Sequence, residues 1–278
     1  MSKEGQVMTT LQEEASENKT PLVIVAGGLD PSGGAGLAVD IGAVHASGAI
    51  ALPIATCLTA QSAATAYAVY PVDPEIVGLQ LEALFKDSRP SIIKTGLIQS
   101  SAMAKLLVEF TRQHNLKLIA DPVIKSTSGL LMAGEGAPEF MSNILVPAAY
   151  LVTPNAKEAE ILTGLKVNDA AGAKSAAKKL VESGAANALV TGGHINSDGD
   201  ISADYLYNGF DFVEFKAKRE SGGETRGTGC MLASAIAGRL AGGEDLEEAI
   251  TESKTFVSER IVKAANIAGT RVATFGGA

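Results

Sequence analysis

Residues 22–58 read LVIVAGGLDPSGGAGLAVDIGAVHASGAIALPIATCL, and this stretch decides the fold class. It begins with a short apolar run, Leu22–Ala26, of the kind that forms a buried parallel strand. A glycine-rich turn follows, then a stretch with helical spacing, Ala35–Ser47, and a second apolar run, Ile50–Leu58. A strand, a helix and a second strand in this order predict a right-handed βαβ unit, because parallel neighbours need a crossover connection.

The same alternation continues along the chain. Further strands are predicted at Ser91–Lys94, Leu116–Ala120, Tyr150–Val152 and Asn187–Thr191. Further helices are predicted at Pro74–Phe85, Ala102–His114, Ala156–Leu162, Ala170–Ser183, Gly229–Ala241 and Leu246–Ala265. A late hairpin is predicted at Ala203–Tyr207 and Asp211–Lys216, which flank the turn Asn208-Gly209-Phe210. We therefore expect an α/β fold, a single three-layer α/β/α domain with a mostly parallel central sheet over residues 21–278.

The charge of the chain bears on its partners. The 278 residues carry a formal net charge of −8, and the isoelectric point is near 5.0. Both values argue against nucleic acid or an anionic membrane as the main partner, although backbone amides at a helix start can still bind an anionic substrate.

Cysteine usage and the N-terminal segment bear on location. Cys57 and Cys230 lie far apart in the sequence, which favours a reducing compartment over a disulfide framework. No apolar run approaches the roughly 18 residues that span a bilayer. Residues 1–20 are polar and acid-rich and lack the apolar segment of a secretory signal. We expect a cytoplasmic protein with a mobile extension at residues 1–20.

The first candidate site segment is the turn Gly27–Gly36, which directly follows the first predicted strand. In an open α/β sheet, ligands bind at the carboxyl ends of the strands. Glycines there let a ligand approach the backbone, and Asp30 and Ser32 can cap the next helix. The glycine spacing is not that of the dinucleotide fingerprint, and no Gly-Lys-Ser/Thr ends the turn as in a P-loop. A plain tight turn fits the glycine content equally well.

The second candidate is Gly227-Thr228-Gly229-Cys230, at the start of a predicted helix of small residues. Unpaired N–H groups and the helix dipole make such a start an anion site, suited to a phosphoryl group in transfer. The same field predicts a lowered pKa for the Cys230 thiol, which could take a proton from a substrate hydroxyl or orient that hydroxyl. A cysteine that only packs the helix start is the alternative.

Three further segments follow predicted strands. Asn155 and Glu158 stand three apart at a helix start, where they could hold Mg²⁺ or form a capping box. Asp121 offers a carboxylate near the same edge of the sheet, or is an ordinary turn residue. The segment Thr191-Gly192-Gly193-His194 would let a nucleotide approach, with His194 as a hydrogen-bonded loop residue.

The order of these segments resembles that of hydroxymethylpyrimidine/phosphomethylpyrimidine kinases of the thiamine pathway, within the ribokinase-like superfamily. The resemblance covers residues 21–265. It rests on Gly28–Gly36 (GLDPSGGAG), Thr59–Gln61 (TAQ), Lys94–Leu97 (KTGL), Asp121–Val123 (DPV), Thr153–Glu158 (TPNAKE), Gly192–His194 (GGH) and Gly227–Cys230 (GTGC). It implies a ribokinase-like fold, ATP and Mg²⁺ as cofactors, a homodimer, and a pyrimidine alcohol or its monophosphate as substrate.

The resemblance also implies residue roles. It implies a catalytic anion hole made of Gly227, Thr228, Gly229 and Cys230, with Cys230 where relatives that phosphorylate sugars or pyridoxine carry an aspartate base. It implies a substrate pocket lined by Gln61, Gly28, Ala35, Asp40 and Val123, in which the Gln61 amide hydrogen-bonds the pyrimidine ring. It implies ATP contacts from Asn155, Glu158, Asp121, Thr191, Gly193 and Arg226, with Glu158 and Asp121 as the metal ligands.

The chain departs from the family pattern at three positions. Thr191 stands where the family usually has a lysine that meets the ATP phosphates, and Leu29 replaces a usual serine or threonine. Arg226 stands where histidine is common, which suggests that Arg226 reaches the phosphates and restores the missing charge. Two alternatives stay open: a pyridoxine/pyridoxal kinase, and a pyrimidine-binding regulatory protein without turnover. The late hairpin and Ile124–Gly136 are candidate mobile covers.

Overall fold

A computed structural model describes residues 20–124, 132–193, 195, 199–220 and 225–275 of the chain. Its strands are β1 (Leu22–Leu29), β2 (Ile50–Gln61), β3 (Ala66–Pro71), β4 (Ile92–Thr95), β5 (Lys117–Ala120), β6 (Leu151–Val152), β7 (Ala188–Val190), β8 (Ile201–Tyr207), β9 (Phe212–Lys218), β10 (Thr225–Arg226), β11 (Ala265–Ile267) and β12 (Thr270–Val272). Its helices are α1 (Gly36–Ala46), α2 (Pro74–Asp87), α3 (Ser101–Gln113), α4 (Ala137–Phe140), α5 (Ala156–Thr163), α6 (Ala170–Glu182), α7 (Thr228–Ala241) and α8 (Leu246–Val262). A π-helical turn (Met141–Leu145) and a 3₁₀ turn (Val146–Ala148) follow α4.

The central sheet has nine strands in the order β3-β2-β1-β4-β5-β6-β7-β8-β9. The strands from β2 to β7 in this order are parallel to one another, whereas β3 at one edge and β8 and β9 at the other are antiparallel. The predicted mostly parallel sheet is therefore confirmed. The predicted hairpin is β8–β9, in which the Asn208 side chain accepts from the N–H groups of Phe210 and Asp211.

Alternating residues of β1 connect the sheet to two helical layers, because successive side chains of a strand point to opposite faces. Val23 and Val25 pack in one apolar cluster with α1, α7 and α8. Ile24 and Ala26 pack in a second cluster with α2 and α3, and α5 and α6 extend the helical cover over β6 and β7. This arrangement is the three-layer α/β/α architecture that the sequence predicts.

Several elements differ from the sequence prediction, which lacks β3, α4 with the two turns that follow it, and the strands β10, β11 and β12. Strand β3 was not predicted, because it is an edge strand whose Tyr67 and Tyr70 are 72% and 61% exposed and show no buried alternation. The helix predicted over Leu246–Ala265 ends at Val262, because Ala265 pairs with Val272 in a separate three-stranded sheet, β10-β12-β11. That small sheet places β10 directly before the start of α7.

The described residues include no helix that is long and apolar enough to cross a membrane. The extension predicted at residues 1–20 lies outside the described residues except for Thr20.

Candidate active site

One cavity of about 770 Å³ lies where the parallel strands end, as expected for an open α/β sheet. Its floor is formed by residues at or just beyond the ends of β1, β4, β5, β6 and β7, namely Gly28, Gly96, Asp121, Thr153 and Thr191. The residues to which the resemblance assigns roles all line this cavity: Gly28, Ala35, Asp40, Gln61, Asp121, Val123, Asn155, Glu158, Thr191, Gly193, Arg226, Gly227, Thr228, Gly229 and Cys230. The fold thus brings together segments from both ends of the chain, from Gly28 to Cys230, because loops at one sheet edge converge.

The start of α7 forms one wall of the cavity. Gly227 is the N-cap in the left-handed region, with φ +82°, and no side chain caps the helix. The first helical hydrogen bond runs from the Met231 N–H to the Gly227 carbonyl at 2.9 Å. The N–H groups of Thr228, Gly229 and Cys230 precede that bond, and the geometry of a helix start leaves them without intrahelical partners. An anion in the cavity would meet these donors and the positive end of the helix dipole.

The Cys230 thiol does not have the lowered pKa that its place at a helix start suggested. Burial raises its pKa well above the ordinary value, and the charge of Asp121 raises it further, while Lys94 offsets only part of this. The expectation of an activated thiolate is therefore wrong, because desolvation and the charges of Asp121 and Asp40 outweigh the attraction of Lys94. Cys230 remains in the cavity wall as a neutral thiol that can contact a bound substrate.

A buried charge cluster beneath Cys230 was missed as a site feature. Lys94 is fully buried in β4, and its Nζ donates to Oδ1 of Asp40 at 2.7 Å and lies 3.2 Å from Oδ2 of Asp121. The hydroxyl of Ser234 also donates to Oδ1 of Asp40 at 2.7 Å. Oδ2 of Asp40 has no hydrogen-bond partner among the described residues. One lysine thus holds two carboxylates at the floor of the cavity.

The pKa of Lys94 follows from its ionisable neighbours. Burial alone would lower the pKa of Lys94, but interactions with Asp40, Cys230 and Asp121 raise it above its ordinary value, so the ammonium group keeps its proton. The sequence did contain a signal for this cluster. A lysine at the end of the apolar run Ser91–Lys94 has to be paired if the strand is buried.

The start of α5 carries the proposed metal ligand. Asn155 and Glu158 form a reciprocal capping box: Oδ1 of Asn155 accepts from the Glu158 N–H at 3.0 Å, and Oε2 of Glu158 accepts from the Asn155 N–H at 2.9 Å. Burial, with a further contribution from the charge of Asp121, raises the pKa of Glu158 from 4.5 to about 8. The capping-box alternative is confirmed, and it leaves Glu158 beside Asp121 in the cavity wall.

A second buried ion pair supports the loop after β7. Oδ1 of Asp204 accepts from the Gly192 N–H at 2.8 Å, and Oδ2 of Asp204 accepts from Nζ of Lys254 at 2.6 Å. Thr191 is fixed from the other side, because its N–H donates to the Pro154 carbonyl at 2.9 Å. Asp204 and Lys254 were not singled out from the sequence, since their pairing across 50 positions leaves no local pattern.

The opposite end of the cavity carries Gln61 at the end of β2. Its Oε1 is buried and has no hydrogen-bond partner among the described residues. Gly28 is held close to Cys57, since a Cβ at Gly28 would lie only 3.0 Å from Sγ of Cys57. Oε1 of Gln61 is therefore an acceptor that a donor in the cavity could satisfy.

Arg226 lines the cavity, but its guanidinium group already has protein partners. Nη1 donates to the carbonyl groups of Ser62 and Ala63 at 2.7 and 2.8 Å, and Nη2 lies 3.2 Å from Oδ2 of Asp30. Contact between Arg226 and ATP phosphates stays a prediction. His194 and residues 125–131 of the predicted cover lie outside the described residues.

The fold and this cavity define a small-molecule kinase of the ribokinase-like type, and comparison with known proteins gives its family. The chain belongs to the phosphomethylpyrimidine kinase family, whose sequence model matches residues 30–274. It is therefore a phosphotransferase, and the resemblance seen in the sequence motifs is confirmed.

Curated relatives agree with this family. The chain is 35% identical over 235 residues to hydroxymethylpyrimidine/phosphomethylpyrimidine kinase of Aquifex aeolicus, covering 84% of this chain and 91% of that enzyme. It is 38% identical over 243 residues to thiamine biosynthesis bifunctional protein ThiED of Geobacter sulfurreducens, covering 86% of this chain but 49% of that protein. The chain thus spans about half of the bifunctional relative and nearly all of the single-function enzyme.

Solved structures give the same fold. A phosphomethylpyrimidine kinase from Clostridium difficile 630 matches with a TM-score of 0.75 and 32% identity, over 87% of this chain and 99% of that chain. A Staphylococcus aureus pyridoxal kinase in complex with AMP-PCP and pyridoxal matches with a TM-score of 0.84 and 27% identity, over 93% of this chain and 94% of that chain. The backbone is thus shared by kinases of two different small-molecule classes.

Proposed function

We propose that the protein transfers the γ-phosphoryl group of ATP to 4-amino-5-hydroxymethyl-2-methylpyrimidine, to its monophosphate, or to both, in thiamine biosynthesis. The observation that carries this proposal is that an uncapped helix start at Gly227–Cys230 and the unpartnered Oε1 of Gln61 line one cavity. The first suits a phosphoryl group and the second suits an amino group on a ring. The names of the Aquifex aeolicus and Clostridium difficile relatives support the same chemistry.

The pyrimidine end would be built around Gln61. Oε1 would accept from the exocyclic amino group, and the amide nitrogen would donate to a ring nitrogen, so one side chain would read two atoms of the ring. Gly28, Ala35, Val123 and Leu97 line the cavity and would contact a flat ring. Asp40, which Lys94 holds in place, would present its unpartnered Oδ2 to the substrate.

The nucleotide end would lie between the loop after β7 and α8. Thr191 and Gly193 line the cavity there, and a Cβ at Gly193 would meet no atom within 4 Å, so the backbone is open to a ligand. Val257 and Ile261 of α8 provide an apolar surface on the same side, which suits a purine ring. Asn155 would lie nearer to the triphosphate than to the purine ring.

The residues present fit a magnesium ion. Oδ2 of Asp121 is buried and accepts no hydrogen bond, although Lys94 Nζ lies 3.2 Å from it. Glu158 lies close enough for the Asp121 charge to raise its pKa. The described residues contain no cluster of three or more His, Cys, Asp or Glu side chains that could hold a metal alone. That composition is typical of Mg²⁺, which binds through one or two carboxylates together with substrate phosphates and water. When bound, the ion would neutralise charge on the phosphates.

The transfer itself needs little covalent help from the protein. The substrate hydroxyl oxygen would form a bond to the γ-phosphorus, the bond between that phosphorus and the β,γ-bridging oxygen would break, and ADP would leave with the electron pair. Donors at Thr228, Gly229 and Cys230 would stabilise the charge on the equatorial oxygens. The neutral Cys230 thiol would orient the hydroxyl, whose proton passes to a phosphoryl oxygen. A monophosphate substrate would attack through an oxygen that already lacks a proton.

The test is ATP consumption measured in parallel with three acceptors: hydroxymethylpyrimidine, its monophosphate and pyridoxine. We expect turnover on one or both pyrimidines and a kcat/KM for pyridoxine that is lower by about 10²-fold or more, since a buried Gln61 acceptor without its donor is penalised. The high structural similarity to pyridoxal kinase makes pyridoxine the informative competitor. Turnover on pyridoxine alone would overturn the substrate assignment. Binding of a pyrimidine without turnover would favour a regulatory protein.

We also expect the protein to be a cytoplasmic homodimer.

A further inference from the structure

Arg226 joins three segments of the candidate site through one buried side chain. Its backbone belongs to β10, which pairs with β12 through Arg226 and Val272. Its side chain is 10% exposed and reaches away from the small sheet toward the hairpin turn after β2 and the glycine turn after β1. It comes directly before Gly227, so the anion-binding helix start is attached to it covalently.

The contact with the glycine turn is ionic and continues into that turn. Nη2 of Arg226 lies 3.2 Å from Oδ2 of Asp30, which is 3% exposed. Oδ1 of Asp30 accepts from the N–H and the hydroxyl of Ser32, at 2.8 and 2.7 Å. The Asp30 carboxylate therefore transmits the position of Arg226 to the turn that lines the substrate end of the cavity.

The contact with the hairpin turn lies next to Gln61. Nη1 of Arg226 donates to the carbonyl groups of Ser62 and Ala63 at 2.7 and 2.8 Å. The turn is closed by the Ser62 N–H, which donates to the Thr65 carbonyl at 2.8 Å. The two carbonyl groups that Arg226 holds are thus the first two after Gln61, whose Oε1 has no protein partner.

These contacts leave the guanidinium group little freedom to reach a phosphate. Moving it would remove the donor from two carbonyl groups and would leave the buried Asp30 carboxylate without its counter-charge. The group is planar and presents its donors in a fixed fork, which suits three fixed acceptors better than a lysine would.

We propose that Arg226 is a positioning residue that fixes Gln61 relative to the anion turn Gly227–Cys230, and so sets the distance between the recognised ring and the phosphoryl group. This inference rests on the proposed pyrimidine kinase activity for its functional consequence. The geometry of the clamp itself, Arg226 with Asp30, Ser62 and Ala63, is independent of the substrate. The clamp therefore acts on affinity for the phosphoryl acceptor, while the ATP end of the cavity is left unchanged.

The test combines amide hydrogen exchange with steady-state kinetics on Arg226→Met, Arg226→Lys and Asp30→Asn in the full chain. We expect faster exchange in Arg226→Met over residues 62–66 and 225–229 in the ligand-free protein. The KM for the pyrimidine should rise at least tenfold while the KM for ATP stays within twofold. Arg226→Lys should recover part of the loss. The Asp30→Asn/Arg226→Met double variant should lose no more than the worse single variant, because both act on one contact.

Arg239→Met serves as the control, since it removes an arginine at the other end of α7, where the side chain pairs with Glu244. It should change neither the exchange of the two segments nor either KM. Unchanged exchange in Arg226→Met would overturn the proposal. A rise in the KM for ATP with an unchanged KM for the pyrimidine would also overturn it, and would indicate that Arg226 binds the ATP phosphates. If the wild type turns over no pyrimidine, the proposed function fails, and the exchange result still decides whether the clamp exists.

Discussion

Gly227 and Gly34 are in direct backbone contact, so the anion turn before α7 rests on the glycine turn that follows β1. A Cβ at position 227 would collide with the carbonyl oxygen of Gly34, and the φ of +82° at Gly227 is itself unfavourable for other residues. The substrate turn and the anion turn therefore pack directly against each other. Gly227 is therefore a glycine that the fold requires, whereas Gly229, which has open space around it, is one that only a bound ligand would require.

Gly227→Ala and Gly229→Ala should therefore have different effects. Gly227→Ala should lower the free energy of unfolding by at least about 1–2 kcal/mol, from the left-handed φ alone, and should abolish turnover. At Gly229 a Cβ would meet no atom within 4 Å, so Gly229→Ala should fold like the wild type. Gly229 lines the cavity, so an added methyl group should crowd a bound phosphoryl group, and kcat should fall by about tenfold or more. Urea unfolding and initial rates measure both, and a Gly229→Ala variant with wild-type kcat would contradict the anion site.

The charge cluster at the floor of the cavity predicts a stability effect. Lys94→Met keeps the length of the side chain but leaves Asp40 and Asp121 buried without their counter-charge. We expect the free energy of unfolding to fall by about 3–5 kcal/mol, as when one partner of a buried ion pair is removed. The Lys94→Met/Asp40→Asn double variant should be more stable than Lys94→Met, because one uncompensated charge is removed with it. Equal stability of the wild type and Lys94→Met would mean that the cluster is not ionised.

The layers of the fold could be predicted because their signals are local. Leu22–Ala26 and Ile50–Leu58 are short apolar runs typical of strands in a covered sheet, and a stretch with helical spacing, Ala35–Ser47, lies between them. Strand β3 could not be predicted in the same way, because its tyrosines face solvent. The strand is defined by its hydrogen-bonded pairing with β2, which leaves no pattern of buried residues in the sequence. The small sheet could not be predicted from local sequence patterns either, since its paired strands β10 and β12 lie far apart in the chain.

The candidate site likewise has features that local sequence patterns predict and features that they do not. Glycine turns and helix starts mark Gly227–Cys230 and Asn155–Glu158 in the sequence, and they line the cavity as expected. What could not be predicted is how side chains from distant segments act on one another. The raised pKa of Cys230 depends on burial and on Asp121, and the partners of Arg226 are more than 160 positions away.

The thiols of the two cysteines should resist labelling at mildly alkaline pH. Burial raises the pKa of Cys57 from 9.0 to about 11, and burial also raises that of Cys230. Both thiols therefore stay protonated at pH 8, and the reactive thiolate is scarce. The raised pKa of Cys57 contributes stability that is present below pH 9 and is lost as the pH rises toward 11, because the unfolded chain ionises first.

A disulfide exchange reagent added at several pH values to Cys57→Ser and Cys230→Ser measures each remaining thiol, with the urea-unfolded chain as control. A Cys230 that reacts at pH 7 faster than the unfolded control would contradict the neutral thiol. The raised pKa of Cys230 also limits its contribution to catalysis. Cys230→Ala should lower kcat by less than about 10²-fold, since a general base contributes about 10²–10⁴-fold.

Glu158→Gln tests the metal ligand without disturbing the helix start. Glutamine can accept from the Asn155 N–H as glutamate does, so the capping box and the stability should persist. Because burial raises the pKa of Glu158 to about 8, rates are compared above that pH, where Glu158 is ionised. Loss of the carboxylate should then raise the Mg²⁺ concentration for half-maximal rate by at least about tenfold. Glu160→Gln is the matched control, because its side chain accepts from the Val167 N–H instead. Magnesium titrations of initial rate decide the matter: an unchanged Mg²⁺ requirement in Glu158→Gln would leave Glu158 as a capping residue only.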